Sequence, residues 1–351
     1  MYICDLPRSL ILNNIFANIN ENENKHEPGN ESSYMLICID DSYFYQKKNK
    51  IIDFNNEVNK IASFQHVNIT LFIERLNPYF TMNDFFPNEE LTYNQLEIYE
   101  ILKYIKFSQY YFFKPELIVC NLSDNNEIIK KNVLKFRPNS HDIIENFELN
   151  YENIDLMFMS NSLKHLIDLF YIDLAKIPNS YDERNRLIIF LIKIITMYQN
   201  KNGVLIIKVT NIETDHIIQE FIFLISGWYA TSFIYKPTIM NPFNEEVYIV
   251  FKEFNITDIN KYKINLQLYP LIDNCLNNKC YTPKKLLSKN VSRMFKDMIK
   301  ENRIVNGQIY LEFIEYLVGI FKNKNREEKL IWFQQNNLLK CESWYDKHVL
   351  H

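Results

Sequence analysis

Asn202-Gly203-Val204-Leu205-Ile206-Ile207-Lys208 and, further along, Asn244-Glu245-Glu246-Val247-Tyr248-Ile249-Val250 decide the fold of this chain. Each is a short apolar run bordered by charge: the first ends in lysine, the second follows a pair of glutamates. Runs of that length and composition suit strands covered on both faces. Between them, residues 215–226 carry apolar side chains at helical spacing, and residues 231–235 form another strand, followed by Lys236-Pro237. The link from residues 231–235 to 246–252 is too short for a crossover helix, so these last two strands are expected to pair antiparallel.

The same alternation extends outward. Apolar runs at residues 34–39, 67–73, 117–122 and 154–159 read as strands. Helical spacing marks residues 91–107 and 181–200. Ser180 with Glu183 has the spacing of a capping box for the second of these helices. Asn202-Gly203 is placed to end it in a left-handed turn. Strands alternating with helices define an α/β layered sheet. Residues 18–32 are polar and read as a loop; after Phe254 helical periodicity returns at residues 283–300 and 305–322. The expected organisation is an N-terminal segment and loop (1–32), an α/β domain (33–254) and a helical C-terminal extension (255–351).

Composition sets the outer limits. A chain of 351 residues, 47% apolar and 15% aromatic, can bury a full core. Its net charge of −4 lacks the basic excess with which proteins capture nucleic acid on their own. Clusters such as Lys47-Lys48-Asn49-Lys50 are balanced by nearby acids and read as solvated surface. Cys275 and Cys280 have no second Cys/His pair at ligand spacing, so no metal site is expected. Reduced cysteines, the absence of a charged-then-apolar leader and an apolar stretch at residues 187–197 too short to span a bilayer point to a cytoplasmic protein off the membrane. The richness in Ile, Asn, Lys, Tyr and Phe matches an AT-rich genome, a bias common in large DNA viruses.

Residues 202–254 resemble the C-terminal part of RNA 2′-O-methyltransferases of the FtsJ type. The resemblance implies a Rossmann-like methyltransferase sheet with antiparallel closing strands. It also implies a Lys-Asp-Lys-Glu tetrad around a ribose 2′-hydroxyl, in which carboxylates hold a central lysine for proton abstraction. Lys208 matches that lysine, Glu246 the glutamate, and Lys236-Pro237 the lysine-proline before the last strand. The tetrad aspartate is expected after residues 154–159, where the chain has Ser160-Asn161; Asp155 opens that run and would lie at its wrong end. The glycine-rich loop that admits the methyl donor is missing, because residues 30–202 hold no glycine. Outside that resemblance, Lys208 is a strand-end lysine snorkelling to solvent and Glu246 an edge charge that blocks aggregation.

A second resemblance covers residues 90–254. Ile98-Tyr99-Glu100-Ile101-Leu102-Lys103, then Tyr110-Tyr111, then Leu117-Ile118-Val119-Cys120-Asn121-Leu122-Ser123 is similar to a stretch of the small subunit of poxvirus mRNA capping enzyme. That family has the 2′-O-methyltransferase fold without a working donor pocket, and it stimulates the cap guanine-N7 methyltransferase of a large subunit. The resemblance implies a degenerate cofactor site, no bound cofactor and no catalytic residue. It implies a heterodimer with the large capping subunit, RNA contact only through that partner, and a place in host cytoplasm or virion. The other possibility is an active cap 2′-O-methyltransferase that uses S-adenosylmethionine with Lys208 and Glu246 catalytic.

Overall fold

The computed structural model describes residues 2–6, 92–125, 127–138, 140–148, 165–175, 181–210, 215–241, 244–277 and 283–350, with isolated positions between 16 and 85 and residue 212. The chain divides into two compact units. One comprises residues 1–25, 104–236 and 245–302; the other comprises 26–103, 237–244 and 303–351. These units interleave along the chain and cut across the sequence boundaries expected at residues 32 and 254.

The first unit is built on seven strands: β1 Tyr2–Asp5, β2 Ile118–Leu122, β3 Ile143–Phe147, β4 Ile167–Asp173, β5 Gln199–Val209, β6 Tyr229–Lys236 and β7 Val247–Phe254. Among the described residues they form one sheet in the order β1-β6-β7-β5-β4-β2-β3. β3, β2, β4 and β5 run parallel. β7 is reversed against both β5 and β6, so the expected antiparallel closing pair is present. β1 extends the sheet past β6, also antiparallel. The fold of this unit is therefore mixed α/β.

Sequence spacing explains which face does what. On β5, Leu205, Ile207 and Val209 enter the main core with Phe170 and Ile172 of β4, Cys120 and Leu122 of β2, and Ile249 and Phe251 of β7. The alternate residues, in register across the strands, are Asn121, Tyr171, Asp173, Ile206, Lys208 and Tyr248. One face is thus mainly apolar, while the other gathers polar groups toward the carboxyl ends of the parallel strands.

Helices α1 Tyr93–Tyr104, α2 Phe107–Tyr110, α3 Glu127–Phe136, α4 Tyr181–Tyr198, α5 His216–Ser226, α6 Asp258–Asn277, α7 Arg293–Phe321 and α8 Arg326–Tyr345 complete the described elements, with a 3-10 turn at Met82–Phe85 and a π turn at Asp346–Leu350. α5 is mainly apolar and buried from Ile217 to Ser226. Asp215 caps it, accepting from the backbone N–H of Ile217 and of Ile218 at 3.1 Å. After Phe254 the chain is helical, as expected, but residues 255–302 group with the sheet. The two expected C-terminal helices are one, α7, which is long and apolar enough by length and composition to cross a bilayer. α7 also supplies buried residues, Phe295 and Ile299 to one core, Ile314 and Leu317 to the other.

One expectation from the sequence fails. Asn202-Gly203 does not end a helix: α4 stops at Tyr198 and β5 begins at Gln199, with Asn202 in the left-handed region inside the strand (φ 60°). The strands expected at 34–39, 67–73 and 154–159, and Ser180 of the capping box, lie outside the described residues. β1, β3, β4 and α3 carry no expectation from the sequence.

Candidate functional site

In an open sheet of parallel strands, ligands bind beyond the carboxyl ends, where neighbouring connections leave in opposite directions. β2 lies between β3 and β4, so its carboxyl end is that position. Three groups converge nearby. Lys208 is the penultimate residue of β5 and is 1% exposed. Its Nζ stands 2.6 Å from Glu246 Oε2, immediately before β7, and 5.4 Å from the centre of the Tyr248 ring. The reversal of β7 brings this about, because its first residues lie beside the last residues of β5.

The third group comes from the neighbouring strand. The strand beside β5 is β4, and its last residue, Asp173, pairs in register with Lys208. Asp173 is thus a carboxylate on the strand next to Lys208 that the sequence reading did not name. Asp173 is 3% exposed, and its Oδ1 accepts from the backbone N–H of Ala175 at 3.1 Å. In register on parallel strands, Asp173 and Lys208 project from the same face. The result is a row of carboxylate, ammonium and carboxylate across the ends of three central strands.

Sequence reasoning missed Asp173 because Asp168 interrupts the run that contains it. Ile167-Asp168-Leu169-Phe170-Tyr171-Ile172-Asp173 carries a carboxylate at its second position, where a buried strand should be apolar. The fold uses Asp168 fully: it pairs with Lys114 and accepts from Ile118 N at 3.0 Å and Asn200 Nδ2 at 2.7 Å. The apolar core of the strand, Leu169–Ile172 between two acids, was the available signal.

The turn after β2 differs from a donor-binding loop. Asn121, at the strand end, donates through Nδ2 to Asn146 Oδ1 at 2.9 Å and to the carbonyl of Asn125 at 3.1 Å. Ser123 Oγ donates to Asn121 Oδ1 at 2.8 Å. Ser123 N continues the ladder by donating to Phe147 O at 3.1 Å. Asn125 Oδ1 accepts from Glu127 N at 3.0 Å and so starts α3. Side-chain amides and a hydroxyl thus take up the hydrogen-bonding groups of this turn.

At the opposite end of the sheet lies a cleft of about 580 Å³ that includes Tyr110, Tyr111, Lys114, Asp168, Asn202 and Glu253. Lys114 and Asp168 are paired there, and Tyr110 Oη donates to the carbonyl of Asn202 at 2.7 Å. Burial pushes the Tyr110 hydroxyl up to about 12, with the charge on Glu253 adding to the shift. These groups hold the amino ends of β4 and β5 together.

No family model matches this chain, and no curated protein matches it either. Among solved structures it is similar to a probable spermidine synthase from Corynebacterium glutamicum ATCC 13032. That match has a TM-score of 0.34 and 8% identity, and it covers 58% of this chain and 77% of the other.

Proposed function

We propose that this chain is a methyltransferase-fold protein of mRNA capping that has exchanged donor binding for work on a partner. It binds a larger capping subunit and stimulates that subunit's cap guanine-N7 methyltransferase. The observation that carries this reading is the turn after β2, closed by Asn121, Ser123, Asn125 and Asn146 where a donor loop needs open backbone. The strand order, with reversed β7 between β5 and β6, supports the methyltransferase-type sheet implied by the resemblance. An apolar stripe on α6 supports a partner: Ile259, Tyr262, Leu266 and Tyr269 are 69%, 65%, 56% and 62% exposed, at three-and-four spacing. Stimulation through such an interface is a population shift: the subunit favours the active conformation by its differential affinity for it.

A second reading, an active cap 2′-O-methyltransferase, is favoured by one specific observation, the placement of Asp173 beside the Lys208–Glu246 pair. In that case Lys208 would abstract the 2′-hydroxyl proton between its two carboxylates. Calorimetric titration with S-adenosylmethionine separates the two. The partner reading expects no binding by the chain alone and methyl transfer only when the large subunit is added, indifferent to Lys208→Ala. Donor binding together with transfer to capped RNA that Lys208→Ala or Asp173→Asn abolishes would overturn it.

A further inference from the structure

We propose that the second unit holds a nucleotide site, a cleft that takes a purine base and its phosphate and lies outside the sheet altogether. The cleft has a volume of about 660 Å³, within the usual range for small-molecule sites. α8 supplies most of its wall from one helical face: Trp332, Asn336, Asn337, Lys340, Ser343 and Trp344 recur at intervals of three and four.

Four features specify the ligand. The first is aromatic. Trp332 is 57% exposed at the cleft, and Phe333 packs beside Tyr316 with ring centres 5.9 Å apart. Planar rings facing an open cleft suit a planar heteroaromatic ligand by stacking. The second is a fixed floor. Trp344 donates Nε1–H to Glu100 Oε2 at 2.7 Å and lies over His348, ring centres 4.9 Å apart and 31° from parallel. Glu100 is itself held by the backbone and hydroxyl of Thr238 at 2.8 and 2.9 Å.

The third feature is unmet hydrogen bonding. Asn337 is 7% exposed and His348 6%, both line the cleft, and Asn337 Oδ1 and His348 Nδ1 have no partner among the described residues. A buried acceptor left unpaired costs stability unless a ligand meets it, and an exocyclic purine amine presents the N–H that Oδ1 requires. The fourth is charge. Lys340 and Lys347 are exposed lining residues with no carboxylate partner among the described residues, placed to take a phosphate. A purely apolar metabolite would leave the two polar atoms unmet, and a bare phosphate has no use for the rings. The site is independent of the capping proposal.

The test is titration of the full chain with AMP and GMP, followed by calorimetry and tryptophan fluorescence, beside ribose 5-phosphate and the free nucleosides. At least one nucleotide should bind and quench fluorescence, with ribose 5-phosphate and the matching nucleoside each at least tenfold weaker. Trp332→Ala and the pair Lys340→Ala with Lys347→Ala should each lower affinity at least tenfold without lowering Tm. Asn337→Leu should raise Tm while lowering affinity by a similar factor, a combination that a purely structural asparagine would not give. The proposal is overturned by no binding of either nucleotide, by equal binding of ribose 5-phosphate, or by affinity unchanged in Trp332→Ala and Asn337→Leu.

Discussion

A lysine that is 1% exposed survives in a sheet only because its charge is met, and Glu246 meets it at 2.6 Å. Removing one partner strands the other, so Glu246→Ala should cost about 3 kcal/mol, whereas Lys208→Met combined with Glu246→Leu should lie near neutral. Urea unfolding of the three proteins checks this, and equal losses in single and double variants would mean that the pair is not what holds β5 to β7. Glu145 offers a pH test. It stands opposite Cys120 on the core side of β3, and burial pushes its carboxyl above the ordinary 4.5, the charge on His165 pulling the other way. A folded pKa above the unfolded one means that the fold prefers the protonated acid. Its stabilising contribution is complete below 4.5 and is lost as pH rises through the folded value. Glu145→Gln should therefore raise Tm at pH 7 relative to the parent and leave it nearly unchanged at pH 4; a Tm gain that is the same at both pH values would refute the cause. Lys208 and Glu246 were singled out from the sequence because each borders an apolar run at a position that the resemblance marks. Asp173 and Glu145 were not, since neither closes a run that reads cleanly as a strand.

The join of α4 to β5 shows how far local patterns carry. A helix ended by Asn-Gly is an ordinary expectation, yet the backbone turns at Tyr198 and Asn202 takes its positive φ within the strand. Gly203 has a different duty from a cap. A Cβ there would meet Gln199 Nε2 at 2.0 Å and the carbonyl of Asn200 at 2.9 Å. Gln199 cannot simply move aside, because Nε2 donates to Ile167 O at 2.9 Å and Oε1 accepts from Tyr229 Oη at 2.9 Å. Gly203→Ala should cost about 3 kcal/mol through overpacking and lost hydrogen bonds. Asn202→Val should cost about 1–2 kcal/mol, since a branched residue tolerates the left-handed region poorly. Thermal unfolding distinguishes this from a helix cap, where the asparagine and not the glycine would be the tolerant position. The strand–helix alternation and the antiparallel closing pair were visible because they rest on local period and link length. β1 and β3 were not, because a four-residue edge strand and a half-polar strand derive their shape from the sheet they join.

For the whole molecule, the question is whether the strand ends around Lys208 or an outer surface does the work. Single exposed apolar residues are normal on any protein, but four at three-and-four spacing along one helix form a stripe that water does not favour. On α6 the opposite face is already spent: Ile264, Leu268, Leu271, Ile272 and Cys275 are buried in the core of the first unit. Ile259, Tyr262, Leu266 and Tyr269 therefore contribute nothing to that core, and charging them should leave the fold intact. Tyr262→Glu combined with Leu266→Glu should keep Tm within about 2 °C of the parent, as expected for surface positions. If α6 is the partner face, the double variant should lose co-purification with a co-expressed large capping subunit. It should also lose, at least tenfold, stimulation of cap guanine-N7 methylation, because a permanent interface depends on its apolar centre. Lys208→Ala, with its side chain in the sheet, should retain both. Undiminished stimulation by the double variant would remove α6 from the interface. A dimer of the chain alone, seen by light scattering and dispersed by the same two substitutions, would assign the stripe to a second copy instead.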